Sequence, residues 1–319
     1  MFTGRIKKII LSCVLMLLVL IIGFSIGVYS ENKSVNFGST NDPVPRKRLK
    51  DECCRDINKE GLSDLNAYGS GLIYYRDFKN HIINNLQKTG AKIYVINLLD
   101  DEIYYHKDRC LRWYGLGYFN KNLGDDLFSQ KIIKTTYKKL IRLIYGTPAI
   151  YDKSQLQTER DIVQDLGGHY YLPLKGHGEW LNNDQFIEDT IHFFKSIPSN
   201  AHLYVHCAHG KGRTTSYLAL YDIFRNAKKV PLNDITNRHY CLGREDVLNT
   251  KLWPGGTWTQ DALDARRDLM VRFHNYMTDT NGYDHQTWTQ WNNAQGIHNP
   301  QKIGVHRKEE KTTELAAIE

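Results

Sequence analysis

The residues with the clearest chemical meaning lie between positions 206 and 214, in the stretch His206-Cys207-Ala208-His209-Gly210-Lys211-Gly212-Arg213-Thr214. Cysteine is a nucleophile as its thiolate, and an arginine six positions later offers a planar fork of donors to two phosphoryl oxygens. The hydroxyl of Thr214 can donate to the sulfur, which eases the departure of the thiolate. The spacing therefore predicts nucleophilic catalysis on a phosphate ester through a cysteinyl-phosphate.

The elements on either side of this stretch must position it. Residues 203–206 are apolar or aromatic and predict a strand, whereas residues 214–226 place Tyr217, Leu220, Tyr221 and Phe224 on one face of a helix. A short loop with two glycines between a strand and a helix aims backbone N–H groups and a helix N-terminus at one point. Such a concavity binds phosphate.

Two other interpretations of the stretch are weaker. Cys207 can be a small buried hydrophobic residue, but packing alone does not demand an arginine and a threonine at this spacing. His206, Cys207 and His209 can be metal ligands, but three close ligands without a distant fourth do not make a closed zinc site. We therefore predict neither a metal nor another cofactor.

The stretch resembles the signature of the protein tyrosine phosphatase superfamily, and Lys211 inside it is similar to a loop lysine of the phosphoinositide phosphatases. The upstream chain resembles the tyrosine-phosphatase-like inositol phosphatases, also called cysteine phytases. Three segments carry that resemblance: Gly69-Ser70-Gly71-Leu72-Ile73-Tyr74, Tyr94-Val95-Ile96-Asn97-Leu98-Leu99-Asp100-Asp101-Glu102, and Tyr170-Tyr171-Leu172-Pro173-Leu174-Lys175-Gly176-His177. It covers residues 65–280 and is weak from 103 to 145.

The resemblance implies an α/β fold with a tyrosine-phosphatase-like mixed sheet flanked by helices. It implies metal-independent hydrolysis of phosphomonoesters of inositol polyphosphates, with Cys207, Arg213 and Thr214 as catalytic residues. The neighbouring residues would bind substrate: His206, Ala208, His209, Gly210, Lys211 and Gly212. Periodicity adds strands at 92–98 and 170–174 and helices at 157–166, 185–195 and 260–278.

Two departures from the family pattern bear on function. A strand that ends in a substrate-contacting arginine in the family reads Leu98-Leu99-Asp100 here, and Lys175 is a candidate replacement for that cation. The family's general acid is replaced by Gly176.

Glu179 and His177 are candidate acids, and Glu179 comes first because its neighbour Trp180 favours a protonated carboxyl. The alternative is that Glu179 is a solvated loop residue and that Asn183 and Asp184 only cap the next helix.

The N-terminus predicts a membrane-insertion helix. Arg5, Lys7 and Lys8 precede residues 9–28, which contain no charge, and a helix of that length spans about 30 Å. If the helix is uncleaved, it anchors the chain in the membrane with the rest facing away from the cytoplasm. The alternative is a cleaved signal peptide and a secreted or periplasmic protein.

Four segments follow from these patterns. Residues 1–30 are the leader, 31–64 a linker, 65–280 the cysteine-phosphatase domain, and 281–319 an extension in which Trp288 and Trp291 can still pack on the body. The charged tail is solvated, or alternatively resembles export signals of some bacterial secreted effectors.

Composition narrows the classes of partner. Residues 1–50 hold 8 Lys/Arg and 2 Asp/Glu and so contribute +6 of the net charge of +7, which leaves a nearly neutral body and argues against nucleic acid. Five of the 6 cysteines follow the leader, so at least one stays a thiol, and we predict Cys207.

Two further functions stay open from the sequence. One is a protein tyrosine or dual-specificity phosphatase. The other is a nearly inactive phosphate-binding module, which the glycine at position 176 favours and the intact Cys207, Arg213 and Thr214 oppose.

Overall fold

A computed structural model describes residues 36–73, 75–99, 103–106, 109–112, 157–173, 181, 183–252 and 258–297. The chain divides into two compact units. In the described residues, the larger unit holds Asn36–Ser70, residues 91–99 and the chain from Tyr170 onward. The smaller unit holds Gly71–Gly90 and the chain from 103 to 169.

A five-stranded sheet organises the larger unit, in the order β1-β2-β8-β3-β7. Its strands are β1 (Gly38–Ser39), β2 (Ala67–Ser70), β3 (Ile93–Asn97), β7 (His169–Tyr171) and β8 (His202–His206). The strands β2 and β3 both run parallel to the central β8, and β1 is antiparallel to β2. Ser70 and Asn97 both pair with His206, so three strands end together at the point where the chain leaves β8.

In the described residues, the same unit has five α-helices: α4 (Asp184–Ser196), α5 (Gly212–Asn226), α6 (Leu232–Cys241), α7 (Gln260–Thr278) and α8 (Trp288–Ala294). The helix α5 is buried along most of its length, with Leu218 and Leu220 inaccessible to solvent. The core includes Leu203 and Val205 of β8 and Phe273 of α7. Packing around the central strand therefore holds the start of α5 in place.

The smaller unit has a three-stranded sheet in the order β5-β4-β6, made of β4 (Ile103–His106), β5 (Arg109–Arg112) and β6 (Gln157–Thr158). Its helices are α1 (Tyr75–Phe78), which runs through a π-helical turn Lys79–Ile83 into α2 (Asn84–Thr89), and α3 (Glu159–Asp165). Tyr105 of β4 stacks against Phe78 with the ring centroids 6.0 Å apart.

The mixed α/β architecture with a central sheet flanked by helices is confirmed. The helix predicted at 260–278 has those bounds, and the predicted strand 92–98 is one residue longer at each end than β3. The strand predicted at 170–174 begins one residue earlier, as His169–Tyr171. Asn183 caps α4, because its side chain accepts from the N–H of Phe186 at 3.1 Å. Trp288 and Trp291 are buried.

Other sequence predictions concern the segments before and after the predicted phosphatase domain. Residues 36–64, for which the sequence predicts a linker, contain the paired strand β1 and the buried Cys54 and Leu62, because tertiary contacts order a segment without periodicity. The predicted leader helix at 9–28 lies outside the described residues, as does the tail. Among the residues that are described, no helix is both long and apolar enough to cross a membrane.

A buried charge cluster joins α5, α6 and the segment before β2. The Asp222 carboxylate accepts two hydrogen bonds from Arg238, one from Nε at 2.7 Å and one from Nη2. It also lies 3.0 Å from His239 Nε2. Arg238 also donates to the carbonyl of Glu60 at 2.8 Å. Burial by itself would raise the pKa of Asp222, but the hydrogen bonds and charges of His239 and Arg238 outweigh it and hold that pKa below its ordinary value.

We expect Arg238→Met to lower the free energy of unfolding by about 3–5 kcal/mol, because it leaves the Asp222 carboxylate buried without its cation. Urea denaturation at neutral pH measures the change. The matched control is Lys228→Met, which breaks the solvent-exposed pair with Asp284 and should leave the unfolding midpoint almost unchanged. Equal losses in the two variants would contradict a special role for the buried cluster.

A disulfide between Cys54 and Cys241 ties the 3-10 helix Glu52–Cys54 to the end of α6 across 187 positions of sequence. Among the described cysteines, Cys53 is an exposed thiol and Cys207 a buried one. The prediction that Cys207 stays reduced is confirmed, whereas the sequence alone left the pairing undetermined.

We expect reduction of this disulfide to lower the free energy of unfolding by about 2–4 kcal/mol, because the bond closes a long loop in the unfolded chain. Urea denaturation with and without dithiothreitol measures the difference. A Cys241→Ala variant should have lost this sensitivity to the reductant, and a Cys53→Ala variant should retain it. Full sensitivity in Cys241→Ala would assign the effect to other cysteines.

Candidate active site

The cysteine loop, residues 207–211, connects the end of β8 to the first turn of α5. The Cys207 N–H donates to the carbonyl of Ser70 at 3.2 Å, which continues the pairing with β2 for one residue beyond β8. Gly210 has φ of 65°, a left-handed conformation that glycine adopts without a steric penalty. The loop can therefore turn sharply into the helix N-terminus.

Two hydrogen-bond donors point at the sulfur of Cys207. The N–H of Gly210 is 3.3 Å from Sγ, and the hydroxyl of Thr214 is 3.1 Å from it. The same hydroxyl lies 3.1 Å from the carbonyl of Ser70, so its single proton serves one acceptor at a time. Cys207 is only 3% exposed and Thr214 is fully buried. The sulfur therefore lies within hydrogen-bond distance of two donors, and such bonds are strongest to a negatively charged acceptor.

Arg213 is anchored from the neighbouring strand. Its Nη1 donates to the carbonyl of Leu98 at 2.6 Å, immediately after the end of β3. Leu98 itself is held by its N–H, which donates to the carbonyl of His206 at 2.9 Å. The parallel register of β3 and β8 thus orients the arginine next to the cysteine loop.

The structure brings the remaining loop residues of the sequence prediction together. His206 is buried and stacks on Tyr204, whose hydroxyl is 2.7 Å from the Ser70 hydroxyl. The side chains of His209 and Lys211 are exposed, and Ala208 and Gly212 are partly buried. The carbonyl of His209 accepts from the Asn36 side chain at 2.7 Å. Two cationic or titratable side chains therefore stand on the solvent side of the loop.

Other predicted site residues lie outside the described residues. These are Lys175, His177 and Glu179, together with the glycine at position 176. Their roles as cation and general acid stay predictions. The absence of a metal stays a prediction of the sequence.

Sequence reasoning missed three residues that build the site. The carbonyls of Ser70 and Leu98 hold Thr214 and Arg213, and the indole of Trp258 packs on Gly212, where an added Cβ would lie 3.3 Å from the ring. The Gly69-Ser70 segment was visible as a family motif, but its contact with Thr214 was not. A backbone carbonyl has no side-chain signature, so no pattern could have singled out Leu98.

Solved structures with a similar fold include tyrosine-phosphatase-like phytases. A tandemly repeated protein tyrosine phosphatase-like phytase from Mitsuokella multacida superposes with a TM-score of 0.59 at 24% identity, over 82% of this chain and 47% of that one. The chain has the fold of the tyrosine-phosphatase-like phytases.

Two other structures share this tyrosine-phosphatase-like fold. A myo-inositol phosphatase from Mitsuokella multacida, in complex with myo-inositol-(1,3,4,5)-tetrakisphosphate, matches with a TM-score of 0.58 at 19% identity over 85% of this chain and 47% of that one. A phytase from Bdellovibrio bacteriovorus matches with a TM-score of 0.51 at 23% identity over 71% and 85%. At these identities the likeness concerns the fold.

Curated relatives match shorter parts of the chain, and no family model matches it. The effector protein hopD2 of Pseudomonas syringae pv. tomato is 25% identical over 139 residues, 43% of this chain and 29% of the relative's length. The uncharacterized protein AvrBs1.1 of Xanthomonas campestris pv. campestris is 24% identical over 97 residues, 30% of this chain and 93% of that protein. The chain thus spans less than a third of the first relative.

We expect Thr214→Val to move the pH midpoint of Cys207 alkylation upward by about one unit, because a hydrogen bond to a charged group contributes about 1.5–3 kcal/mol. Iodoacetamide labelling across pH, with the Cys207 peptide quantified by mass spectrometry, measures the midpoint. Thr214→Ser keeps the hydroxyl and should keep the midpoint. Identical profiles for the valine variant and the unmodified protein would remove Thr214 from the control of the sulfur.

Proposed function

We propose that the chain is a cysteine-dependent phosphatase that hydrolyses phosphomonoesters of inositol polyphosphates. The observation that carries the proposal is the environment of Cys207 Sγ, with the Gly210 N–H at 3.3 Å and the Thr214 hydroxyl at 3.1 Å at the N-terminus of α5. A buried cysteine with only a packing role has no need of either donor.

The proposed first step is attack of the Cys207 thiolate on phosphorus. An S–P bond forms as the ester P–O bond breaks, and the departing alcohol takes a proton from a general acid. Arg213, anchored on the Leu98 carbonyl, and the N–H groups of the cysteine loop bind the phosphoryl oxygens and stabilise their charge in the transition state. The products are a cysteinyl-phosphate and the alcohol form of the leaving group.

In the second step water attacks the same phosphorus, the S–P bond breaks, and inorganic phosphate leaves. The sulfur departs as a thiolate, which the Thr214 hydroxyl stabilises from 3.1 Å. The proton of the attacking water goes to the base form of the residue that acted as acid. We propose Glu179 for this residue, with His177 as the alternative, because Gly176 has no side chain to do it.

Three observations support a substrate with several phosphates. The fold is that of the tyrosine-phosphatase-like phytases, and a myo-inositol phosphatase of the same fold was solved in complex with an inositol tetrakisphosphate. The exposed Lys211 puts a positive charge on the solvent side of the cysteine loop, where the exposed His209 also lies. Lys211 in particular suits a substrate with phosphates beyond the reacting one.

One observation favours a second candidate, a protein tyrosine or dual-specificity phosphatase. Leu98 and Leu99 are fully buried at the position where the family's strand carries an arginine to the substrate. A phenolate is also a better leaving group than an inositol alkoxide, so it depends less on the acid that Gly176 replaces.

We expect phosphate release from inositol hexakisphosphate to exceed release from a phosphotyrosine peptide, and to fall by more than about a thousandfold in Cys207→Ser, which lacks the nucleophile. Malachite green detection of phosphate with residues 36–319 measures both reactions. The matched control is Cys53→Ser, which removes the exposed thiol and should keep full activity.

The outcomes separate the candidates. Cys207-dependent release from the phosphotyrosine peptide alone would replace the inositol assignment with the second candidate. No Cys207-dependent release from either substrate, with inorganic phosphate still protecting Cys207 from iodoacetamide, would make the chain a phosphate-binding module. Equal release in Cys207→Ser would overturn the cysteine mechanism.

A further inference from the structure

Arg244 is a buried arginine in the segment that follows α6. Its side chain is only 6% exposed, and Nη2 donates to the carbonyl of Gly38 in β1 at 2.7 Å. Within the described part of the chain, its Nε and Nη1 have no hydrogen-bond partner. Burying donors without partners is costly, so this arrangement calls for a compensating interaction.

Gly69 of β2 brings Arg244 next to the cysteine loop. A Cβ on this glycine would lie 2.5 Å from Arg244 Nη1 and 2.8 Å from the methyl group of Thr214. The guanidinium and Thr214 therefore both approach the Cβ position of Gly69, and only a residue without a side chain fits between them. Thr214 is the residue whose hydroxyl is 3.1 Å from Cys207 Sγ.

Arg244 interacts electrostatically with three titratable groups on the elements around it. They are Asp42 from the segment after β1, His239 from α6, and Cys207 itself. Burial lowers the pKa of Arg244 to about 10, and the negative charges of Asp42 and Cys207 oppose that change. Arg244 is therefore a cation at neutral pH, and it helps to lower the pKa of the buried His239.

We infer that Arg244 is a positioning residue for Cys207. Its positive charge lies in the core behind the cysteine loop and stabilises the thiolate anion of Cys207 from there. The inference rests on the proposed function insofar as phosphoryl transfer uses that thiolate. Arg244 acts through the field of its charge and through Thr214, and it does not contact the substrate. The thiolate in turn is a compensating charge for the guanidinium, whose Nε and Nη1 have no hydrogen-bond partner among the described residues.

The test is the pH profile of Cys207 alkylation by iodoacetamide, a neutral reagent, followed on the Cys207 peptide by mass spectrometry at low ionic strength. In Arg244→Met we expect the midpoint to rise by about one unit, because an opposite charge has been removed from the thiolate. Arg244→Lys keeps a cation and should return at least half of that shift. A lost structural contact alone would not distinguish these two variants.

The matched control is Arg48→Met. Arg48 donates to the carbonyl of Arg244 at 3.1 Å and stacks on Tyr240, so its loss disturbs the same segment and removes one positive charge without vacating the space beside Gly69. Its midpoint should stay at the value of the unmodified protein. The loop's own His206, His209, Lys211 and Arg213 are the same in every variant.

Circular dichroism establishes that each variant is folded before its profile is used. A folded Arg244→Met with an unchanged midpoint overturns the inference. Where that variant fails to fold, Asp42→Asn carries the test: it leaves Arg244 in place, removes the charge that opposes it, and should move the midpoint to lower pH. An unchanged midpoint in Asp42→Asn then overturns the inference.

The experiment separates this inference from the proposed function because alkylation needs no substrate. A shifted midpoint together with no phosphate release from any substrate would refute the proposed function and leave the role of Arg244 standing. Normal phosphate release together with an unshifted midpoint in Arg244→Met would refute the role of Arg244 and leave the proposed function standing.

Discussion

Parallel pairing of β2 and β3 with the central β8 is the constraint on which the candidate site depends. The register places Ser70 and Asn97 opposite His206, so three strands end at one edge. Because the ends coincide, the carbonyls of Ser70 and Leu98 reach the first turn of α5 and hold Thr214 and Arg213. A slip of one residue in either strand would turn its side chains to the opposite face and misplace the carbonyl that this strand supplies.

The core beneath this edge contains charge as well as apolar side chains. Arg238 is neutralised by Asp222 in a cluster in which every oxygen of the carboxylate has a donor. Arg244 has one backbone acceptor and faces Asp42 and Cys207 only through space. Arg238 and Arg244 thus differ in kind: Arg238 closes a hydrogen-bonded network, whereas Arg244 acts on neighbouring groups through the electric field of its charge.

The fold likeness and the site geometry contribute differently to the functional proposal. Structures of two phytases and of a myo-inositol phosphatase match this chain at 19–24% identity, which defines the fold, and two of them extend well beyond the length that this chain covers. The chemistry rests on the donors around Cys207 and on the anchoring of Arg213. Leu98 and Leu99 are buried where the sequence resemblance implies a substrate-contacting arginine, so the substrate needs a direct comparison of two phosphate esters.

The sequence by itself determined what depends on neighbouring residues: the cysteine loop and its spacing, the helix Gln260–Thr278, and the Asn183 cap of α4. Only the tertiary structure decided the contacts that aim the site. The Thr214 hydroxyl meets a carbonyl 144 positions away, and Arg213 meets one 115 positions away. The disulfide of Cys54 spans 187 positions, and Arg244 approaches Thr214 only because Gly69 leaves room between them. Such contacts depend on backbone carbonyls and on the space left by a glycine, at positions far apart in the sequence. The periodic pattern of side chains does not indicate either of these.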